Sequence, residues 1–147
     1  MRDTKFRGIR VDNDELVYGY YVKASGKHYI LTNEDHRVYC GEVFSTESFF
    51  EVLPETVGQW TGLKDKNEKE IYEGDILKTS NAVGKIYSSI VTWKTDEGKF
   101  IGSPSYGTDY YMKGFMVRQC HLFYACEVIG NIHETPELFT NTVQDKV

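Results

Sequence analysis

The chain has few cysteines and prolines, no long apolar segment and no excess of basic residues. Three cysteines in 147 residues are too few for a disulfide scaffold, and an odd number cannot all pair within one chain. They favour reduced thiols in a cytoplasmic protein. No apolar run approaches the roughly 20 residues that cross a bilayer. The first ten residues are charged and lack an apolar stretch, so no signal peptide is expected.

Positive charge is also scarce. Seventeen basic residues face 22 acidic ones, so the net charge is −5, and the isoelectric point lies near 5.4. An acidic chain does not attract the phosphate backbone through its overall field, so non-specific binding to nucleic acid is disfavoured. A local basic patch remains compatible with this average.

Aromatic residues on strand-like runs are abundant, with 11 tyrosines and eight phenylalanines. Residues 15–22 and 27–32 are β-branched and aromatic, and the turn residues between them predict a hairpin. From residue 75 onward, short strand-like runs alternate with glycine-containing turns. The sequence predicts a mainly β protein with minor α content, in which an N-terminal antiparallel β unit (1–55) precedes a small SH3-like β-barrel (56–147) with a C-terminal strand and short helical turns. One continuous domain is also compatible with this pattern.

Three segments leave room for helix, and one of them, residues 118–125, is expected to form a helical turn. Ser48 and Glu51 fit a capping box, so we expect a short turn or helix here, followed by a strand from about Thr56 to Thr61. The paired phenylalanines also fit a strand, and Pro54 ends either element. Near the end of the chain, Thr135 is followed by Pro136, which predicts one short closing helical turn.

The most distinctive stretch lies at the centre of the chain, where a charged turn and a Gly-Asp corner separate two strands. Glycine is suited to positive φ, and short polar side chains can hydrogen-bond the backbone of their own turn. The simplest interpretation is a loop that sets the geometry of the strands; the alternative is a binding loop on a rigid scaffold. The residues concerned are Gly62, Asp65, Asn67, Gly74 and Asp75.

Candidate chemical sites are weak. The spacing of the potential zinc ligands lacks a Cys-x2-Cys knuckle, and small buried core residues are the usual role of free cysteines. The adjacent Cys120 and His121 diverge on a strand or a helix, so they do not form a nucleophile–base pair. No phosphate-binding loop is present. The sequence therefore predicts no enzyme, no cofactor and no catalytic or metal site. The potential ligands are His28, His36, Cys40, Cys120, His121, Cys126 and His133.

Nucleic-acid binding is the alternative function. Exposed tyrosines on an SH3-like barrel can stack on bases, but the acidic balance opposes this, and tyrosine at a strand end is more typical of a core edge or a protein interface. The long turn-forming segment 103–110 is a candidate binding loop. The residues available for stacking and phosphate contact are Tyr106, Tyr110, Tyr111, Lys99 and Lys113.

Three blocks of sequence resemble the YopX family of phages and prophages of Gram-positive bacteria. They lie at residues 5–7, at 56–67 continuing through 74–76, and at 127–134 continuing to 136–138, and together they span most of the chain. Glu68 departs from the family pattern, which usually has glycine after the asparagine. The resemblance implies a mainly β, oligomeric protein from a phage or prophage gene expressed in the bacterial cytoplasm, and it transfers no catalytic residues.

Aromatic strands without a reactive motif favour a function based on contact. Many small β units need a neighbour to cover exposed sheet. We therefore expect a homo-oligomer, or an accessory protein that binds a phage or host protein.

Overall fold

The computed structural model describes residues 4–39, 42–80, 86–104, 110–111 and 126–140, with side chains at 4–32, 49–78, 88–102 and 126–139. A 3-10 turn covers Pro54–Thr56, and helix α1 covers Glu137–Thr140. The mainly β prediction and the closing helical turn are both confirmed. The strands of the described residues are β1 (Phe6–Ile9), β2 (Leu16–Ala24), β3 (Lys27–Tyr39), β4 (Glu42–Glu51), β5 (Gly58–Lys64), β6 (Glu70–Tyr72), β7 (Asp75–Ser80), β8 (Ile86–Lys94), β9 (Lys99–Pro104), β10 (Tyr110–Tyr111) and β11 (Glu127–Asn131).

The chain divides into two compact units, residues 1–60 and 61–147. Strand β5 begins in the first unit and ends in the second. In the first unit the strand order is β4-β3-β2-β1-β5, and the pairs are antiparallel. The short turn or helix expected at Ser48–Glu51 is wrong, because this segment belongs to β4, where the paired phenylalanines lie on a strand. Pro54 starts the 3-10 turn beyond it. The helical turn expected at residues 118–125 lies outside the residues that the structure describes.

The core of the first unit lies on one face of this sheet. Ile30 is fully buried and Val52 is 1% exposed. A Cβ atom added to Gly8 would lie 3.0 Å from Cβ of Val52, so the absence of a side chain at residue 8 lets β1 pack closely against Val52. Thr56 closes this region, because its hydroxyl accepts a hydrogen bond from the N–H of Ile9 at 2.9 Å and donates one to the carbonyl of Leu53 at 2.7 Å.

The second unit contains a five-stranded antiparallel sheet in the order β10-β9-β8-β7-β11. Its closure into an SH3-like barrel stays a prediction. Cys126 belongs to the core, as expected for a small buried thiol. Apolar side chains from five other strands pack together with the end of β5 and the residue before β11: Leu63, Ile71, Leu77, Val91, Phe100, Cys126 and Val128.

Candidate functional site

An aromatic face lies on the first unit, on the side of the sheet opposite its core. Residues paired directly across antiparallel strands share one face. Tyr20 pairs with Leu31, and Leu31 pairs with Phe49, so the three side chains form a row across β2, β3 and β4. Tyr18 and Val22 lie two residues to either side of Tyr20 and therefore on the same face. We call Tyr18, Tyr20, Val22 and Phe49 the aromatic face.

These four side chains are largely open to solvent. Their exposed fractions are 49% for Tyr18, 52% for Tyr20, 36% for Val22 and 56% for Phe49. The neighbouring row on the other side of the sheet, which includes Ile30, is directed into the core. An antiparallel sheet with one solvated face normally carries polar residues there. In this protein the corresponding positions carry aromatic residues, a residue type that is enriched at protein contact surfaces in general.

The edge of the aromatic face is charged but balanced. Lys27 Nζ lies 2.8 Å from a carboxylate oxygen of Glu51, and the hydrogen bond to this carboxylate raises the pKa of Lys27. Since one charge of each sign is present, the pair gives the edge no net charge.

The central motif is held together by Asp65, which is 5% exposed. One carboxylate oxygen accepts hydrogen bonds from the N–H groups of Asn67 at 2.8 Å and Lys69 at 3.0 Å. The other accepts the N–H of Val128 at 3.0 Å, from a residue 63 positions further along the chain. The carboxylate thus closes its own turn and also fixes strand β11.

Further bonds join the central stretch, residues 62–75, to the C-terminal segment around β11. The N–H of Lys66 donates to the carbonyl of Cys126 at 3.0 Å, and the N–H of Ile132 donates to the carbonyl of Gly74 at 2.9 Å. The ammonium of Lys66 lies 2.9 Å from the carboxylate of Glu127. We call these contacts, together with the bond from Val128 to Asp65, the β11 clasp.

The Gly-Asp corner has the predicted turn chemistry. Gly62 and Gly74 have φ values of 82° and 84°. Asp75 is 1% exposed and accepts the N–H of Tyr72 at 2.8 Å. Because the carboxylates of Asp65 and Asp75 both accept backbone N–H groups, the structural interpretation of the motif is supported.

Glu68 occupies a conformation that favours glycine, with φ at 62°. Left-handed backbone costs a side-chain-bearing residue roughly 1–2 kcal/mol, part of which glycine loses again through unfolded-state entropy. We expect Glu68→Gly to stabilise the protein by about 0.5–1 kcal/mol. Urea unfolding would measure this. Glu68→Ala is the control, since it also removes the exposed pair with Lys64, at 3.5 Å, but keeps Cβ; an equal gain in Glu68→Ala would contradict the explanation.

Burial raises the pKa of the Cys126 thiol to about 12, and the negative charge of Asp65 adds to this effect. The unfolded chain then releases the thiol proton at lower pH than the folded protein does. Stability should be unaffected below about pH 9 and fall as pH rises toward 12. We expect the stability difference between wild type and Cys126→Ala to shrink by about 1–2 kcal/mol between pH 7.5 and pH 10.5. Urea unfolding at both values tests this, and a constant difference would contradict it.

The family model described as YopX protein matches residues 5–140. The chain belongs to the YopX family. Two of the three blocks that resemble YopX proteins meet at the β11 clasp, and the left-handed Glu68 lies within the same loop. In this chain, backbone hydrogen bonds connect the two blocks.

A solved structure shares the fold of this YopX-family chain. The crystal structure of protein EF1440 from Enterococcus faecalis superposes with a TM-score of 0.55 at 22% sequence identity, covering 95% of this chain and 99% of that one. At this identity the likeness concerns the fold alone. No protein with a curated description matches the chain.

The candidate ligands and stacking residues are not brought together where the structure describes them. Nδ1 of His28 lies 2.6 Å from the hydroxyl of Tyr21. Within the described residues, no three His, Cys, Asp or Glu side chains could jointly hold a metal ion. The side chains of His36, Tyr110 and Tyr111 are outside the description, and so are Cys40, Tyr106, Lys113, Cys120 and His121 entirely.

Lys99, a candidate phosphate contact, forms an ion pair with Glu97, to which Lys94 also binds at 2.5 Å. The two ammonium groups hold the pKa of Glu97 at about 2. The helix in the described part of the chain is too short to cross a membrane.

Sequence reasoning did not single out the aromatic face. The sequence feature that could have revealed it is the nearly unbroken apolar run of β2. This run makes both faces of the strand apolar, although only one of them can face the core of a small antiparallel unit.

Proposed function

We propose that this YopX-family protein is encoded by a phage or prophage, lacks enzymatic activity and acts in the bacterial cytoplasm by contact with another protein chain. The phage setting follows from the family resemblance. The contact role is supported chiefly by one observation, the exposure of Tyr18, Tyr20, Val22 and Phe49 on one side of a sheet.

A scaffold role is supported by the way the motif carboxylates are used. Asp65 and Asp75 accept backbone N–H groups in turns, so their lone pairs serve the fold. The nucleic-acid alternative lacks comparable support, since the ammonium of Lys99 is beside Glu97.

The contact role predicts that binding depends on the aromatic face. Tagged wild type should form a defined complex in phage-infected or prophage-induced cells, and Tyr20→Ser/Phe49→Ser should lose it. Trp93→Ser is the matched control, because Trp93 is an exposed aromatic residue (42%) in the second unit. Equal recovery with the face variant, or a complex that only nuclease removes, would overturn the proposal.

A further inference from the structure

The outer edge of β4 is paired along only part of its length. At the end of the strand, the N–H of Val11 donates to the carbonyl of Glu51 at 3.0 Å, and the N–H of Leu53 donates to the carbonyl of Ile9 at 2.9 Å. The chain turns away directly after these contacts. The position beside β4 is therefore filled at the end of the strand, whereas none of the described strands fills it beside residues 47–50.

Phe49 directs its backbone N–H and carbonyl toward this open position. Residues of an antiparallel strand alternate between bonding the strand on one side and the strand on the other. The N–H of Val52 donates to the carbonyl of His28 at 2.9 Å on the β3 side, whereas the carbonyl of Glu51 accepts its bond on the outer side. By this alternation the backbone groups of Phe49 face outward. Within the described chain, neither of them has a backbone hydrogen-bond partner.

Two exposed apolar side chains flank the open position. Val11 lies opposite Glu51 in the register set by the bridge at the end of β4, and Phe49 lies two residues before Glu51. Val11 and Phe49 therefore lie on the same side of the sheet, which is that of the aromatic face. They are 51% and 56% exposed. A strand added beside Phe49 would extend the row that Leu31 and Phe49 form, and would cover both exposed side chains.

We propose that the outer edge of β4 binds an extended segment of another protein, which adds to the sheet as a further strand beside Phe49, an inference that rests on the contact role proposed above. Outward N–H and carbonyl groups on an edge strand are a template for strand addition. Lysine and proline commonly block such edges, and β4 contains neither. Main-chain hydrogen bonds would hold the segment, and its alternate side chains would lie over the aromatic face.

The charge of β4 favours a basic segment over a second β4. The strand contains three glutamates and no lysine or arginine, and the turn after β1 adds Asp12 and Asp14. Arg10 pairs with Asp12, and Lys27 pairs with Glu51, so carboxylates outnumber the basic groups paired with them here. Two β4 strands side by side would oppose groups of like charge, which is destabilising. A segment that combines apolar residues with lysine or arginine fits both the charge and the exposed side chains.

A nitrogen-15 chemical-shift titration of the full chain tests the proposal with a hexapeptide of alternating valine and lysine. The amide signal of Phe49 should shift, and its hydrogen exchange should slow at least tenfold at saturation. Two control peptides should bind at least tenfold more weakly: one with glutamate in place of lysine, and the basic peptide N-methylated at two adjacent central residues. Equal binding of the N-methylated peptide, or an amide of Phe49 that does not respond, would overturn strand addition. Equal binding of the acidic peptide would overturn the choice of a basic partner.

Proline at residue 49 separates the role of the backbone from that of the ring. Phe49→Pro removes the outward N–H as well as the ring, whereas Phe49→Ala removes only the ring. Proline is tolerated in an edge strand where the N–H faces solvent. Phe49→Pro should bind the basic peptide at least tenfold more weakly than Phe49→Ala, and circular dichroism should verify that both are folded. Equal affinities would contradict the proposal. If proline unfolds the chain, the N-methylated peptide decides the question on the wild type.

The complex in cells separates this inference from the broader contact role. A complex that is lost in Tyr20→Ser/Phe49→Ser but survives in folded Phe49→Pro would overturn strand addition and leave the contact role standing. If the complex survived both variants, both proposals would fall. A complex that contains only further copies of this chain would overturn the choice of a partner from another protein.

Discussion

Replacing Asp65 with alanine should destabilise the second unit by about 2–3 kcal/mol. The carboxylate accepts three backbone N–H groups, and a buried donor left without a partner costs about 1–3 kcal/mol. Water can replace the partner of Asn67 and Lys69, which are exposed, but Val128 is 8% exposed and belongs to the core. Most of the lost stability should therefore come from the N–H of Val128 in β11, which loses its acceptor.

Urea unfolding followed by the fluorescence of Trp93 would measure this loss. Lys69→Ala is the matched control, because its exposed side chain lies in the same turn while its N–H still bonds to Asp65; its effect should stay within about 0.5 kcal/mol. Hydrogen exchange at the amide of Val128 should accelerate in Asp65→Ala and not in the control. Equal stability of the two variants would show that the clasp does not hold β11.

The local chemistry of the central motif was predictable from the sequence. Glycines suited to positive φ and carboxylates suited to their own turns act as expected at Gly62, Gly74, Asp65 and Asp75. These effects depend on residues a few positions apart, so the sequence contains them.

Long-range features were not predictable. The second carboxylate oxygen of Asp65 accepts the N–H of Val128, and no local sequence pattern indicates a contact between residues 63 positions apart. Alternation also could not decide which side of β2 is exposed, since Tyr20 and Tyr21 are equally suited to either face. That choice depends on what the rest of the unit covers, namely the side of Ile30 and Val52.

Gly19 is another residue whose role depends on contacts distant in the sequence. It lies in β2 between Tyr18 and Tyr20, where the strand pairs with Phe6 on one side and approaches β3 on the other. A Cβ atom at this position would lie 2.0 Å from the carbonyl oxygen of Leu31. Because that neighbour is backbone, relief requires the two strands to separate.

We therefore expect Gly19→Ala to destabilise the first unit by about 3 kcal/mol. A loss of stability would itself indicate the close contact, because replacing glycine by alanine in an ordinary strand stabilises the protein by about 0.5–1 kcal/mol. Gly26→Ala is the control: its added Cβ would have no atom within 4 Å, and only its φ of 76° opposes the change, at a cost of about 1 kcal/mol. Urea unfolding followed by Trp60 fluorescence would rank the two variants.

The consequence extends to the aromatic face, because strand separation at Gly19 displaces Tyr20 relative to Leu31 and Phe49. Gly19→Ala should weaken the complex that the aromatic face is proposed to form, under conditions where the variant is still folded, whereas Gly26→Ala should not. A stabilised Gly19→Ala would show that β2 and β3 do not approach as closely as the 2.0 Å contact requires. A destabilised variant that still forms the complex would show that the packing of β2 on β3 does not control the contact made by the aromatic face.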